Sequence, residues 1–170
     1  MSAKEYEVDL QTNVENLVEQ LKRNRYKAKL VKRKYIPKEN GKQRPLGIPA
    51  ISDKLVQTGV KVILETIYEQ DFLSCSYGYR PETSATLAIE NLSNELRGGC
   101  YHYLVEADIK GFFDNIDHEI LVDMLNQRID DKSFMRLIRK WLNAGILETN
   151  GKVISPPQGG IVSPILANIY

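Results

Sequence analysis

A chain of 170 residues can bury one core, as a single domain or as two small lobes that share it. Its 42% hydrophobic and 26% charged residues are a globular balance, and no apolar run approaches the ~18 residues that cross a bilayer. The net charge of +1 averages two opposites: residues 22–44 hold 11 basic residues against Glu39 alone, a net +10, which leaves −9 on the remaining 147.

The first ten residues have no apolar signal-peptide core. Val14, Leu17, Val18 and Leu21 keep helical spacing and Asn13 can cap, so residues 13–24 are expected to form an amphipathic helix. The basic segment follows, with Lys22, Arg23, Arg25, Lys27, Lys29, Lys32, Arg33 and Lys34, then Lys38, Lys42 and Arg44. Such a segment on an acidic body suits a polyanionic partner, with Tyr26 and Tyr35 interleaved as stacking groups. A solvated lysine-rich face is the competing reading. Residues 30–36 have strand composition, Glu39-Asn40-Gly41 is a turn, and 43–48 returns as the second strand of a hairpin. Pro45 and Pro49 place that strand at a sheet edge.

Ser52 can cap a helix reaching about residue 70, with Leu55, Val56, Val60, Ile63, Leu64 and Ile67 on its buried side. A loop spans 71–82. Thr83 or Ser84 opens a helix to about 97, which Gly98-Gly99 ends. Residues 101–108 are rich in strand formers. Asp117 caps a helix to about 129, and Asp130 or Asp131 caps another to about 143. Asn150-Gly151 marks a hairpin between 146–148 and 152–154. Residues 155–160, with two prolines and two glycines, exclude regular structure. Ser163-Pro164 then opens a last apolar helix. Cys75 and Cys100 stand 25 residues apart with only His102 close to either, too few ligands for a zinc site and no disulfide framework, which argues for a reducing compartment. Both are expected to be small buried residues. The order is α+β without regular βαβ alternation, and neither a phosphate-binding glycine loop nor a dinucleotide fingerprint occurs.

The chemistry concentrates at Asp108, at the end of the strand expected over 101–108. A carboxylate there is costly unless it is paired or bound to a metal. Hard cations such as Mg2+ take oxygen ligands alongside phosphates, and two-metal nucleotidyl transfer requires such carboxylates. Taken alone, Asp108 could equally end a strand and accept hydrogen bonds from the next turn.

Its surroundings are more specific. Ala107-Asp108-Ile109-Lys110-Gly111-Phe112-Phe113-Asp114-Asn115-Ile116-Asp117-His118 resembles the first catalytic-aspartate motif of group II intron reverse transcriptases. Pro157-Gln158-Gly159-Gly160-Ile161-Val162-Ser163-Pro164-Ile165-Leu166-Ala167-Asn168 resembles their nucleotide-pocket motif. Lys42-Gln43-Arg44-Pro45-Leu46-Gly47-Ile48-Pro49 resembles their fingertip hairpin, and Tyr77-Gly78-Tyr79-Arg80-Pro81 the loop after it. The four stand in the family's order over about 17–170.

The resemblance implies reverse-transcriptase-type fingers with an incomplete palm, in a right-hand polymerase. It implies Asp108 as one of three metal-binding carboxylates, with the Ile109 carbonyl as a further ligand of one of two Mg2+ ions. Lys110 and Gly111 would approach the incoming triphosphate, Phe113 would exclude a 2′-hydroxyl, and Lys42 and Arg44 would neutralise phosphate charge. Gln158 would contact the nucleotide, while Gly159 and Gly160 would let backbone pass close to template or primer. Phe112 is expected in the core and His118 in a structural role. The basic segment would grip template and intron RNA.

The family's Tyr-x-Asp-Asp motif does not occur in these 170 residues, so this chain alone is expected not to polymerise. The expected divisions are 1–97 for an N-terminal helix and fingers, 98–130 for a palm segment, 131–160 for a return to the fingers, and 161–170 for the start of a palm helix. The parent would be an RNA-directed DNA polymerase that copies intron RNA into DNA and assists splicing. Its partners would be intron and template RNA, a DNA primer and deoxynucleotide triphosphates, in a bacterial-type cytoplasm. The alternatives are a non-catalytic intron-RNA-binding splicing factor and another bacterial reverse transcriptase of retron type. Self-association is not legible.

Overall fold

Two short helices open the chain in a computed structural model that describes residues 3–37, 41–154 and 160–170, with all their side chains except those of Asp114 and Ile154. Helix α1 (Ala3–Val8) is followed by α2 (Leu10–Lys22). The second helix starts earlier than its apolar spacing indicates. Asn13 is not its cap: it lies within α2, and its side-chain amide donates to the Tyr6 carbonyl at 3.0 Å, tying the two helices together.

Strands β1 (Val31–Pro37) and β2 (Gln43–Ile48) pair antiparallel, from Lys32 opposite Ile48 to Pro37 opposite Gln43. The turn residues Glu39 and Asn40 lie outside the described residues, and Gly41 takes a φ of 74°. Strands β3 (Ile146–Leu147) and β4 (Val153–Ile154) form the second hairpin, and the sheet order is β2-β1-β3-β4. Strand β2, which holds Pro45 and stops just before Pro49, is therefore at an edge, where a missing N–H leaves no inner ladder broken. The parallel pairing of β1 with β3, Val31 opposite Ile146, joins segments over a hundred residues apart, and no local pattern signals it.

Helix α3 (Ile51–Tyr68) is the central element. Its cap is Ala50, and the Ser52 hydroxyl is buried without a partner among the described residues, so the Ser52 cap expected from sequence does not form. The buried stripe runs Asp53, Val56, Gln57, Val60, Leu64 and Tyr68. Leu55 and Ile63, expected on the buried side, are exposed. Helix α4 (Ala85–Arg97) buries no residue. It is capped by Ser84, whose hydroxyl accepts from the Leu87 amide at 3.1 Å.

Residues 101–108 form no strand, and Tyr103 and Val105 are 91% and 90% exposed. Strand propensity describes side chains that suit a half-buried pleated surface, but a strand also needs a partner for its backbone groups. No described residue supplies one to this segment. A single 3-10 turn over Phe112–Asn115 leads into α5 (His118–Asn126). Asp117 caps α5 and Asp131 caps α6 (Lys132–Leu142), each carboxylate accepting two backbone N–H bonds of 2.7–3.2 Å. Helix α7 (Ser163–Ile169) carries Pro164 in its first turn. Ser163 is the first residue of α7 rather than its cap, and its hydroxyl accepts from the Gly160 amide at 3.0 Å.

One apolar cluster combines Val60 and Leu64 of α3, Leu121, Val122 and Leu125 of α5, Met135 and Ile138 of α6, and Val162, Ile165 and Leu166 at α7. It thus draws on all four of the divisions expected from sequence. Cys75 and Cys100 are exposed free thiols, not the buried residues expected. No helix among the described residues is long and apolar enough to cross a membrane.

Candidate functional site

The basic segment is anchored from beneath by one buried carboxylate. Asp53 is 2% exposed; it accepts from the Tyr26 hydroxyl at 2.6 Å and from the Lys29 amide at 2.9 Å. The Trp141 indole N–H donates to the Tyr26 hydroxyl at 2.9 Å, and the Lys140 ammonium donates to the Tyr26 carbonyl at 2.6 Å. The Tyr26 and Trp141 rings meet edge to face. Burial, followed by the hydrogen bond to Asp53, pushes the Tyr26 phenol well above its ordinary value. Tyr26 is therefore a core residue holding the segment onto α3 and α6, and cannot serve as the base-stacking group expected from sequence. Tyr35 is partly exposed, but its hydroxyl donates to Glu148 at 3.1 Å, a bond that raises its pKa.

Strand alternation sorts the cations. Arg33 points toward β3 and pairs with Glu148 at 3.3 Å, with little solvent exposure. Lys32 and Lys34 occupy the opposite face, and the register places Arg44, across from Ile36, on that same face. Lys22 and Arg23 each lie near Glu19, at 3.7 and 3.1 Å, in exposed pairs worth little. A cavity of about 420 Å3 opens beside α2, with Gln20, Arg23, Arg25, Lys27 and Lys29 in its wall. Lys42 is exposed. Exposed cations thus form a continuous surface from the end of α2 along β1 to β2, suited to successive phosphates.

Asp108 is exposed, as are Ile109, Lys110 and Gly111. The Ile109 carbonyl accepts from the Phe112 amide at 3.2 Å, closing the turn. Gly111 has a φ of 65°, and a Cβ there would meet the Asn115 amide nitrogen at 3.0 Å, so a side chain would strain the backbone and press on Asn115. Asn115 in turn donates to the Gly111 carbonyl at 2.7 Å. Phe112 packs against the core, as expected, and its ring lies 6.1 Å from that of Tyr170. Phe113 is 39% exposed and meets Phe112 edge to face, which leaves its outer face open. Among the described residues no three His, Cys, Asp or Glu side chains group to hold a metal ion. Asp108 and the Ile109 carbonyl offer two oxygens, a partial set for a cation that takes about six. The donor type fits a divalent metal, and further ligands are needed to complete the shell.

The loop motif meets the nucleotide-pocket motif at α7, which also contacts α3. The Ile161 amide donates to the Gln57 side chain at 2.8 Å, and the Asn168 side chain donates to the Gly78 carbonyl at 2.8 Å. Arg80 builds the loop around Gly78, bonding Glu69 and the Leu73 and Ser76 carbonyls at 2.7 Å and lying over the Phe72 ring. Gln158 and Gly159 lie outside the described residues.

Residues 36–170 match the family described as reverse transcriptase (RNA-dependent DNA polymerase). The chain belongs to the reverse transcriptase family. Among its relatives, group II intron-encoded protein LtrA of Lactococcus lactis subsp. cremoris is 45% identical over 161 residues, covering 92% of this chain and 26% of LtrA. Protein YkfC of Escherichia coli (strain K12) is 37% identical over 169 residues, covering 94% of this chain and 44% of YkfC. Nuclear intron maturase 4, mitochondrial, of Arabidopsis thaliana is 26% identical over 129 residues, covering 74% of this chain and 16% of that protein. The chain thus spans less than half the length of these relatives. Its resemblance to the group II intron branch of the reverse transcriptases, read from the motifs, agrees with the name of LtrA.

Two residues that organise the site, Asp53 and Gln57, escaped the motif reading, while Arg80 stood in the loop motif without an assigned role. A signal existed for both of the missed residues. Asp53 and Gln57 stand four apart on the stripe that continues as Val60 and Leu64, and polar groups on a buried helical stripe need partners.

Proposed function

We propose that the protein carrying this chain is an RNA-directed DNA polymerase of the group II intron type, which copies intron RNA into DNA and binds intron RNA to assist its splicing. The observation that carries this reading is the meeting of three of the four motifs, the aspartate motif, the loop motif and the nucleotide-pocket motif, at α7. The helix and the turn before it contact α3 through Gln57, the Tyr-Gly-Tyr-Arg-Pro loop through Gly78, and the aspartate motif through Phe112. Residues 1–97 and 131–160 belong to the fingers and 98–130 and 161–170 to the palm of a right-hand polymerase, working in the cytoplasm.

In this reading a primer 3′-hydroxyl attacks the α-phosphate of a deoxynucleotide, and pyrophosphate leaves. Two magnesium ions, when bound, stabilise the attacking and leaving oxygens. Asp108 contributes one carboxylate to hold them, beside the Ile109 carbonyl. Lys42 and Arg44 neutralise triphosphate charge, Lys110 and Gly111 bring backbone close to it, and Gln158 contacts the nucleotide. The open face of Phe113 lies under the sugar and leaves no room for a 2′-hydroxyl. The exposed cations Lys22, Arg23, Arg25, Lys27, Lys29, Lys32 and Lys34 hold RNA through its phosphates, with Gly159 and Gly160 beside template or primer.

The test is primer extension on an RNA template by the full-length protein, with deoxynucleotides and magnesium. Template-dependent DNA product is expected. Tight intron-RNA binding without any product would favour a non-catalytic splicing factor instead.

A further inference from the structure

Gly160 has a neighbour that accounts for its lack of a side chain. A Cβ at Gly160 would sit 2.4 Å from the Gln57 Oε1 and 3.1 Å from its Cδ and Nε2. Gln57 comes from α3, is 4% exposed, and accepts from the next amide, Ile161, at 2.8 Å. The turn is closed from its other side by Ser163, whose hydroxyl accepts from the Gly160 amide and whose own amide donates to the Gly160 carbonyl at 3.2 Å. A buried polar side chain on an apolar helix stripe costs stability unless it is bonded. Here the bond goes to backbone more than a hundred residues away, and closing it requires glycine at the contact.

We propose that Gln57 is a positioning residue for the polymerase site, fixing the Gly160–Ile161 backbone against α3. The inference rests on the polymerase reading above, in which this backbone borders the nucleotide and template. Its mechanical logic follows from chain order. Strand β2, with Arg44 near its start, ends at Ile48, and α3 begins at Ile51. Two turns later α3 presents Gln57 to the turn that opens α7. The phosphate-binding hairpin and the Gly160–Ile161 backbone are thereby held to one helix, the latter by the Gln57 hydrogen bond and the Gly160 contact added to the apolar packing of α7 on α3.

The test uses the full-length protein with Gln57→Met, which keeps length and removes the acceptor, together with Gly160→Ala and the pair Gln57→Ala/Gly160→Ala. Gln57→Met is expected to raise the deoxynucleotide KM roughly tenfold, as loss of one buried hydrogen bond implies, with kcat within about twofold. Gly160→Ala is expected to lower both thermal stability and nucleotide affinity. Shortening Gln57 in the pair should recover most of the stability loss, because the clash is between those two side chains, while KM stays raised because the acceptor for the Ile161 amide is still missing. A merely structural role for Gln57 would lower the melting temperature and leave KM unchanged, which overturns the proposal. So would a pair no more stable than Gly160→Ala alone. A wild-type protein that makes no DNA refutes the polymerase reading, and with it the positioning role of Gln57. Size rescue seen in melting would then still establish the Gln57–Gly160 contact, so the two failures are distinguishable.

Discussion

Asp53→Ala is the substitution that most severely tests how the basic segment is held. The change strands two buried donors, the Tyr26 hydroxyl and the Lys29 amide. Each such donor costs about 1–3 kcal/mol, so the gross loss is about 2–6 kcal/mol. Relief from burying a carboxylate offsets part of it, and a net loss of about 3 kcal/mol is expected. For a chain of this size that lowers Tm by about 6–12 °C. Asp53→Asn keeps one acceptor oxygen but turns an N–H toward the other donor, so about half that loss is expected. The assay is thermal and urea unfolding of the 170-residue chain, followed by circular dichroism and by Trp141 fluorescence. Trp141 is the single tryptophan, and its indole N–H is bonded to the Tyr26 hydroxyl. A red-shifted native emission in Asp53→Ala would report loosening at the anchor itself. A loss under about 1 kcal/mol with unchanged emission would refute the reasoning, since no substitution that strands two buried donors should be so mild.

Tyr26→Phe should flatten the alkaline limb of the stability curve. The folded phenol titrates above its unfolded value of 10.0, so its contribution is complete below pH 10 and is lost as pH rises toward the folded value. Urea midpoints of wild type should then fall by the equivalent of about 1.4 kcal/mol per pH unit above 10 relative to the variant, and parallel curves would contradict this. Replacing Arg25, Lys29, Lys32 and Lys34 with alanine should weaken RNA binding and flatten its salt dependence, which for about four phosphate contacts has a log-log slope near −3. Anisotropy titrations at several salt concentrations read both quantities, and a control set of Arg97, Arg128 and Lys132 should do less, Lys140 being excluded because it bonds the Tyr26 carbonyl. Arg33 is left out of the first set because Glu148 already neutralises it. Phe113→Ala in the full-length protein should narrow the KM gap between ribonucleotides and deoxynucleotides, and an unchanged gap would return Phe113 to a packing role.

Much of the fold was legible where its cause is local. Ser84, Asp117 and Asp131 cap the helices that their positions indicate, because a cap needs only its own next three residues. The prolines of 43–49 placed β2 at an edge for an equally local reason. What failed depended on distant partners. Residues 101–108 have strand composition, but no described segment pairs with them. Tyr26 sits among lysines in sequence, yet Asp53 and Trp141, 27 and 115 residues away, take it into the core. Ser52 precedes an apolar stripe but lies inside the first turn of α3, where its hydroxyl cannot cap. For the site, the motifs named Asp108, Gly111 and Phe113, which the structure exposes around one turn, although Asp108 was expected at the end of a buried strand. They gave no hint that Gln57 would stand behind Gly160, since that contact exists only once α3 and α7 meet.

The central claim, that Asp108 is a metal-binding carboxylate of a reverse transcriptase, is tested most directly by Asp108→Asn in the full-length protein. Primer extension and RNA affinity should be measured side by side. The amide keeps the size of the carboxylate and loses the charge that attracts a hard cation. Extension on an RNA template should fall to background while RNA affinity stays within about twofold, because phosphate contacts lie on the basic segment and not at Asp108. Extension at the wild-type rate in Asp108→Asn would remove Asp108 from the catalytic centre and contradict the account.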